Sequence, residues 1–333
     1  MMDTSKKRLH GQPREGNMAE RIAIITGASS GLGREFIRQL DHFGEDLFPA
    51  EKDGIPVRPF DAFWVIARRR DRLEELAKET KTPVRVLPMD LTDKRAIEDL
   101  SALLDKEDPD VRLLINAAGF GKIGSWRDIP LAQVDQMIDL NCRAAVDVTQ
   151  ICLPHMQAGG HIMEICSTAA FQPFQYLNVY TASKAFLYRD SRALSTELRK
   201  DRIRVTAVCP YWIRDTEFIP VAQKTGDAAY IHGFPFSDTV DHVAARSLSD
   251  ASLGLSVSTP GPVCTLHRFF SKLLSSDLLM WIFEGIRRLR AGLRRERAGD
   301  PLRSPGFPLR SRARRGAHPP PGRCAGCRPL PAG

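Results

Sequence analysis

The chain reads as an α/β protein: a doubly wound parallel sheet with helices on both faces, in a single domain. Two features carry that reading. Short, nearly continuous apolar runs alternate with longer stretches of helical period, as strands buried on both faces require. The first of those runs leads through a glycine-rich turn straight into a helical stretch.

Taken in order, Ile22 to Ile25 is the first strand, and a helix follows from about Leu32 to Phe43. Phe63 to Ala67 is the next strand, then a helix covers Arg70 to Glu79. Val84 to Leu87, Leu113 to Asn116, His161 to Ile165 and Val205 to Cys209 complete the expected strands. Long helical patterns span Leu131 to His155 and Tyr180 to Arg199. The expected domain covers residues 19–289. Met1 to Met18 is polar and mixed in charge, with no apolar centre, so it is read as a disordered leader and not as a signal peptide. Residues 290–333 are read as a disordered tail. Arg, Pro and Gly make up 29 of the last 49 residues, which leaves too little apolar surface to offset the ordering entropy.

The formal charge of +8 belongs to that end of the chain. Gly285 to Gly333 holds 13 Arg and no Lys against one Glu and one Asp, so the rest is slightly acidic. The expected body offers no basic face, and no nucleic-acid partner is expected. Seven Cys at irregular spacing do not make a secreted disulfide framework. Four of the first five lie in apolar surroundings and read as buried thiols in a reducing, cytoplasmic compartment. Cys324 and Cys327 are a single pair, whereas a metal site wants four ligands; no metal is expected. No uninterrupted apolar run of about 18 residues exists, so no transmembrane segment is expected. Phe269 to Ile286 comes nearest, broken by Lys272, Asp277 and Glu284. Phe269 to Leu289 is amphipathic and runs into Arg287, Arg288 and Arg290. That pattern suits packing on the body or on a second subunit, with contact at a membrane surface as the alternative.

Thr26 to Gly33 reads T-G-A-S-S-G-L-G. Gly27 permits the tight turn, Gly31 lets backbone approach a pyrophosphate, and Gly33 lets the helix pack closely on the sheet. Freed amides and the helix N-terminus attract phosphates, which makes this a Rossmann-type dinucleotide site. The spacing Gly-x-x-x-Gly-x-Gly resembles the short-chain dehydrogenase/reductase family. The resemblance continues in order to about Gly261 through Asp90 in M-D-L-T-D, Asn116 to Gly119 in N-A-A-G, and Asn141, Ser167, Tyr180 and Lys184. It implies cofactor contacts at Gly27, Ser29, Ser30, Gly31, Leu32 and Gly33, an adenine-contacting acid at Asp90 beside Leu91, and Asn116 with Ala117 along the adenosine side. It also implies a catalytic tetrad of Asn141, Ser167, Tyr180 and Lys184, with Tyr180 and Lys184 touching the cofactor as well. Ile213 fits a backbone contact to the nicotinamide amide.

The residues support that chemistry. Tyr180 and Lys184 stand one helical turn apart on one face. A free Tyr has a pKa of about 10, so proton exchange near neutrality needs a nearby cation. Ser167, at a strand end, suits a hydrogen bond to a substrate carbonyl. Asn141 resembles the family residue that completes a proton relay to the lysine.

The second strand ends Ala67-Arg68-Arg69-Arg70, where NAD-preferring members carry an acid. Guanidinium groups suit a 2′-phosphate, so NADP is the expected cofactor, with Arg68 as lead contact and Ser29, Ser30 and Arg69 as helpers. Two departures stand out. The stretch Asp41 to Asp61 is long and is expected to add a surface loop near the adenosine end. Tyr211 replaces the glycine of the family's Pro-Gly, and Thr216 sits one residue late. Phe171, Phe174, Tyr176, Tyr211, Trp212, Phe218 and Tyr230 fall where substrate should bind, which favours an apolar ketone or alcohol. The expected activity is NADP-dependent interconversion of a carbonyl and a secondary alcohol, with Tyr180 as general acid/base, in a homo-oligomer. The competing reading is a catalytically idle NADP-binding scaffold or sensor; loss of Tyr180 or Lys184 would have marked it, and both are present.

Overall fold

The computed structural model describes residues 19–52, 55–225, 231 and 234–297. The leader 1–18, Tyr230 and the Cys324–Cys327 pair lie outside the described residues. β1 (Arg21–Thr26) turns into α1 (Gly31–Leu47), and a small antiparallel hairpin follows, β2 (Ala50–Lys52) with β3 (Ile55–Val57). Then come β4 (Ala62–Ala67), α2 (Arg70–Glu79), β5 (Val84–Pro88), α3 (Lys94–Glu107) and β6 (Asp110–Asn116). α4 (Leu131–Ile138) passes through a π-helical turn, Asp139–Ala144, into α5 (Ala145–Cys152). β7 (His161–Ile165), α6 (Asn178–Glu197), β8 (Arg204–Val208), α7 (Phe218–Ala222), α8 (Val240–Ser252), β9 (Val257–Ser258), α9 (Pro262–Leu273) and α10 (Ser276–Arg297) follow among the described residues.

Seven strands form one parallel sheet in the order β5-β4-β1-β6-β7-β8-β9. Successive side chains of a strand point to opposite faces, and β1 divides accordingly. Ile22 and Ile24 join a core with Leu100, Leu104, Val148 and Cys152, whereas Ala23 and Ile25 join another with Phe36, Ile37, Leu73 and Leu248. Two buried layers on one sheet explain why its strands read as nearly continuous apolar runs. β9 has only two residues, too few to leave a pattern in the sequence.

The long connection after α1 is a correction. It does not sit near the adenosine end. Its chain enters β4 at Ala62, paired with Ile22 at the start of β1, and Phe48 packs edge-on to His161, the first residue of β7, at 5.0 Å. Both contacts lie at the amino edge of the sheet, opposite the glycine turn. A helix that begins at the carboxyl edge and runs back over the sheet must end at the other edge, so an insertion after it lies there. α10 continues to Arg297, past residue 289, because the Arg, Leu, Ala and Glu that follow are good helix formers; residues 298–333 lie outside the described residues. The chain divides into two compact units, Met1–Gly285, which holds the sheet, and Ile286–Gly333. Among the described residues no helix is long and apolar enough to cross a membrane, and no cluster suits a metal ion.

Candidate active site

β1 lies between β4 and β6, and the chain winds outward in both directions from there. Ligands of such sheets bind at the carboxyl ends of the strands at this switch point. Thr26 ends β1, and its Oγ1 accepts from Ala118 N at 3.1 Å. Gly27 then takes φ +69°, and a Cβ there would lie 2.8 Å from Ala118 N. Gly31 has φ +53°, the left-handed region that favours glycine. A Cβ on Gly33 would lie 2.4 Å from the Gly27 carbonyl oxygen. Close approach at Gly33 is therefore to the turn itself, and any side chain would push α1 off it.

The arginine run divides. Arg69, not Arg68, reaches the turn: its Nη2 donates to Ser30 Oγ at 2.8 Å and to Ser29 Oγ at 3.0 Å. Its Nη1 pairs with Glu217 at 2.9 Å, and Arg72 pairs with the same carboxylate. Hydrogen bonds from Arg72 and Arg69 hold Glu217 below the usual carboxylate range. Arg68 is exposed and lies 3.7 Å from Asp90. Burial works against the charge on Asp90, but hydrogen bonds from Thr92 and the Arg68 charge outweigh it and keep the carboxyl below its ordinary value. Leu91 beside it is buried.

Asn141, Ser167, Tyr180 and Lys184 come together. Asn141 lies in the π-helical turn, a distortion frequent at functional sites. Its side chain accepts from Phe120 N at 3.0 Å and donates to Phe120 O at 2.9 Å and Ser183 Oγ at 3.0 Å. A Cβ on Gly119 would meet both Asn141 Oδ1 and Lys184 Nζ, at 3.0 and 3.3 Å. Lys184 Nζ donates to Ile165 O at 2.7 Å and lies 6.0 Å from the Tyr180 ring centre. Ser167 caps a short helical turn by accepting from Ala169 N at 3.1 Å. Burial pushes Tyr180 up to about 12, against a smaller opposing effect of the Ser167 hydroxyl. Burial also holds Lys184 below its ordinary value.

Asn116 faces away from the cleft. Its Nδ2 donates to Thr149 Oγ1 at 2.9 Å and to Glu164 Oε1 at 2.8 Å, tying β6 to β7 and α5. Burial pushes Glu164 up to about 8, only partly offset by the Asn116 and Thr149 bonds. Glu164 Oε2 and Asn116 Oδ1 are buried without partners. Ala117 contributes backbone, which a Cβ on Gly27 would meet at 2.9 Å. Ile213 bridges to Asp238, and its carbonyl accepts from Thr216 Oγ1 at 3.3 Å. Thr216 is the side chain nearest a Cβ built on Gly31, at 3.6 Å.

The aromatic residues divide. Phe218 packs on Tyr180 with ring centres 5.5 Å apart, and Trp212 bridges Phe218 and Phe234. Phe171 instead packs against Tyr188 and His267, and Phe174 against His267 and Phe283. Tyr211 stacks edge-on to Trp212, and Tyr176 takes φ +65° in the loop before α6. Sequence reasoning missed Glu217, Glu164, Gly121 and Phe234. A Cβ on Gly121 would lie 2.8 Å from the Tyr180 ring; its place two residues past N-A-A-G was the one available signal.

A parallel sheet with a glycine turn at its switch point and a Ser-Tyr-Lys cluster beside it defines a class of oxidoreductase. Residues 60–225 match the model of the short chain dehydrogenase family. An uncharacterised oxidoreductase of Staphylococcus epidermidis is 29% identical over 193 residues, covering 57% of this chain and 77% of that protein. A closed form of serine dehydrogenase complexed with NADP+ is 28% identical with a TM-score of 0.56, covering 67% of this chain and 86% of that one. A short-chain dehydrogenase from Sphingobium yanoikuyae in complex with NADPH is 24% identical with a TM-score of 0.60, covering 87% and 100% respectively, and shares the fold. The chain belongs to the short-chain dehydrogenase/reductase family of oxidoreductases.

Proposed function

We propose that this oxidoreductase uses NADP(H) to interconvert a carbonyl and a secondary alcohol on an apolar substrate, with Tyr180 as general acid/base. The observation that carries the reading is the buried cluster in which Tyr180 and Lys184 lie one turn apart on α6, with Lys184 Nζ 6.0 Å from the Tyr180 ring and Asn141 bonded to the intervening Ser183. The residues present fit a dinucleotide: Gly27 and Gly33 leave no room for a side chain, and Arg69 with Ser29 and Ser30 makes a cationic, hydroxyl-lined corner suited to a 2′-phosphate. The NADP+ complex of the serine dehydrogenase supports the same preference. When bound, the dinucleotide supplies hydride transfer. The chain's residues handle the proton and the substrate. Ser167 donates to the carbonyl oxygen, and Tyr180 delivers the proton. Lys184 lies close enough to stabilise the phenolate left behind, and Asn141 fixes the loop at Phe120.

Phe218, Trp212 and Phe234 beside Tyr180 favour an apolar substrate. Free, mostly buried thiols support a reducing, cytoplasmic setting. Exposed Ile138 and Phe186 on α4 and α6 support a homo-oligomer. The test is a panel of apolar ketones and secondary alcohols, followed by the absorbance of NADPH and, separately, NADH. Turnover with NADPH is the expected result; a protein that binds NADPH and turns over no member of the panel would be the idle scaffold instead.

A further inference from the structure

An open concavity of about 700 Å³ lies at the amino edge of the sheet, opposite the glycine turn. Its walls are the end of α6, the start of β8 and the loop after α8, with Ala158 and Gly159 closing one side. Arg199, Arg202 and Arg204 line it with Ser195 and Ser256, and no Asp or Glu is among the lining residues. Elsewhere the chain pairs its arginines with acids: Arg21 with Asp61, Arg34 with Glu79, Arg143 with Asp139 and Arg246 with Asp250. Among the described residues the side chains of Arg199 and Arg202 have no hydrogen-bond or carboxylate partner. Arg204 donates from Nη1 to Ser252 O at 2.9 Å, which leaves its other donors open.

Backbone bonds fix where these side chains start. Gly159 N donates to Arg202 O at 2.9 Å, Arg202 N to Arg199 O at 3.1 Å, and Arg204 N to Gly160 O at 2.9 Å. Gly254 has φ +74°, and a Cβ there would lie 3.1 Å from Arg204 Cδ and 3.3 Å from its Cζ. The Arg204 side chain therefore lies against bare backbone. The charge of the cluster is felt inside the fold: burial holds His161 down at about 4, and the Arg204 and Arg112 charges add to it. The C-terminal end of α6 carries about half a negative charge, which balances part of one arginine. The remaining like charges repel. A multiply charged anion removes that repulsion and suits the forked guanidinium donors. The volume is that of small-molecule sites, about 300 to 1,000 Å³. We propose that this concavity binds a small molecule carrying phosphate groups, held by Arg199, Arg202 and Arg204. Three cations call for more than the single charge of a lone carboxylate, and phosphate supplies it with several acceptor oxygens. The inference is independent of the proposed reaction, because the concavity lies across the sheet from the nucleotide turn.

The experiment is thermal melting of the full-length chain with inorganic pyrophosphate as the probe, at physiological ionic strength. A ligand held only by the folded form raises the melting temperature, whereas one held equally by arginines of the unfolded chain does not. The expected result is a rise that depends on pyrophosphate concentration and persists in Arg69→Ala, which weakens the nucleotide turn. The double variant Arg199→Gln, Arg202→Gln should melt at the wild-type temperature without ligand, because both side chains are exposed. Its pyrophosphate Kd, read from the concentration dependence of the rise, should be weaker by about tenfold or more. No rise in the wild type overturns the proposal, as does an equal rise in the double variant. A rise lost in Arg69→Ala and kept in the double variant assigns the anion to the glycine turn and overturns it as well. If the glutamine pair melts early without ligand, each single variant is read against wild type, and an undiminished rise in both overturns the proposal.

Discussion

The glycine turn and the substrate side of the cleft are built by different means. In the turn, backbone meets backbone: Gly27 against Ala117 and Ala118, and Gly33 against the Gly27 carbonyl. Nothing but glycine satisfies those contacts, so the residue type itself records the geometry. Beside Tyr180, side chains meet side chains drawn from distant segments. Gly121, Phe218, Trp212 and Phe234 converge there from three stretches of chain. A local pattern can announce the first kind of site, whereas the second exists only once the sheet has formed. If the two regions are this distinct, substitutions should separate cofactor binding from turnover.

Tyr180→Phe should separate them most. It deletes the proton donor and keeps the ring packed on Phe218. Turnover should fall by about a hundred- to ten-thousandfold, the range for losing a positioned acid. Titration of NADPH fluorescence should give a dissociation constant within about twofold of wild type. Full turnover in this variant would remove Tyr180 from the mechanism.

A second test lies beneath both regions. Glu164 is buried with Oε2 unpartnered, and burial raises it to about 8 from an ordinary 4.5. The folded protein then holds a proton that the unfolded chain releases, so this group favours folding fully below about 4.5 and loses that contribution as pH rises toward about 8. Wild-type melting temperature should fall across this window, and Glu164→Gln should flatten the fall by several degrees. Parallel melting curves for the two proteins would show that Glu164 is ionised in the fold.

The arginine pair tests the cofactor side alone. Arg69→Ala should weaken NADPH by about tenfold or somewhat more, since hydrogen bonds to a charged group contribute roughly 1.5–3 kcal/mol. Turnover at saturating NADPH should stay near wild type. Arg68→Ala should weaken it by about threefold or less, because Arg68 is exposed and lies toward Asp90. If the order is reversed, Arg69 serves only to hold Glu217.

What was legible in the sequence follows the same division. The strands, the turn, and the Asn141, Ser167, Tyr180 and Lys184 set depend on periodicity and fixed spacing, and each appears where expected. Spacing cannot supply which of two adjacent side chains points across the turn after a strand ends; Arg69, expected as a helper with Ser29 and Ser30, is the one that bonds them, and Arg68 lies toward Asp90. The connection after α1, expected near the adenosine end, lies at the other edge because α1 runs back over the sheet before it. Glu164 was hidden because one acid in an apolar strand has no periodic signature; only the register pairing it with Asn116 explains it. Phe171 looked like its ring-bearing neighbours, yet packs toward Tyr188 and His267.

Glu217 joins the two regions and gives the smallest expected effect. It lies in the segment leading into α7, on the substrate side, and pairs with Arg69 and Arg72 on the cofactor side, 148 and 145 residues earlier in the chain. A 2′-phosphate held by Arg69 must compete with that carboxylate or sit beside its charge. Glu217→Gln removes the competition and keeps the shape. The pair is about half exposed, and exposed ion pairs contribute only about 0–1 kcal/mol. NADPH should therefore bind up to about fivefold tighter, by an amount that shrinks as salt is added. NADH has no 2′-phosphate and should bind this variant as it binds wild type, which distinguishes relief of competition from a general change in the loop. Equal gains for both cofactors, or a loss for NADPH, would show that Glu217 shapes the cleft and does not compete for Arg69.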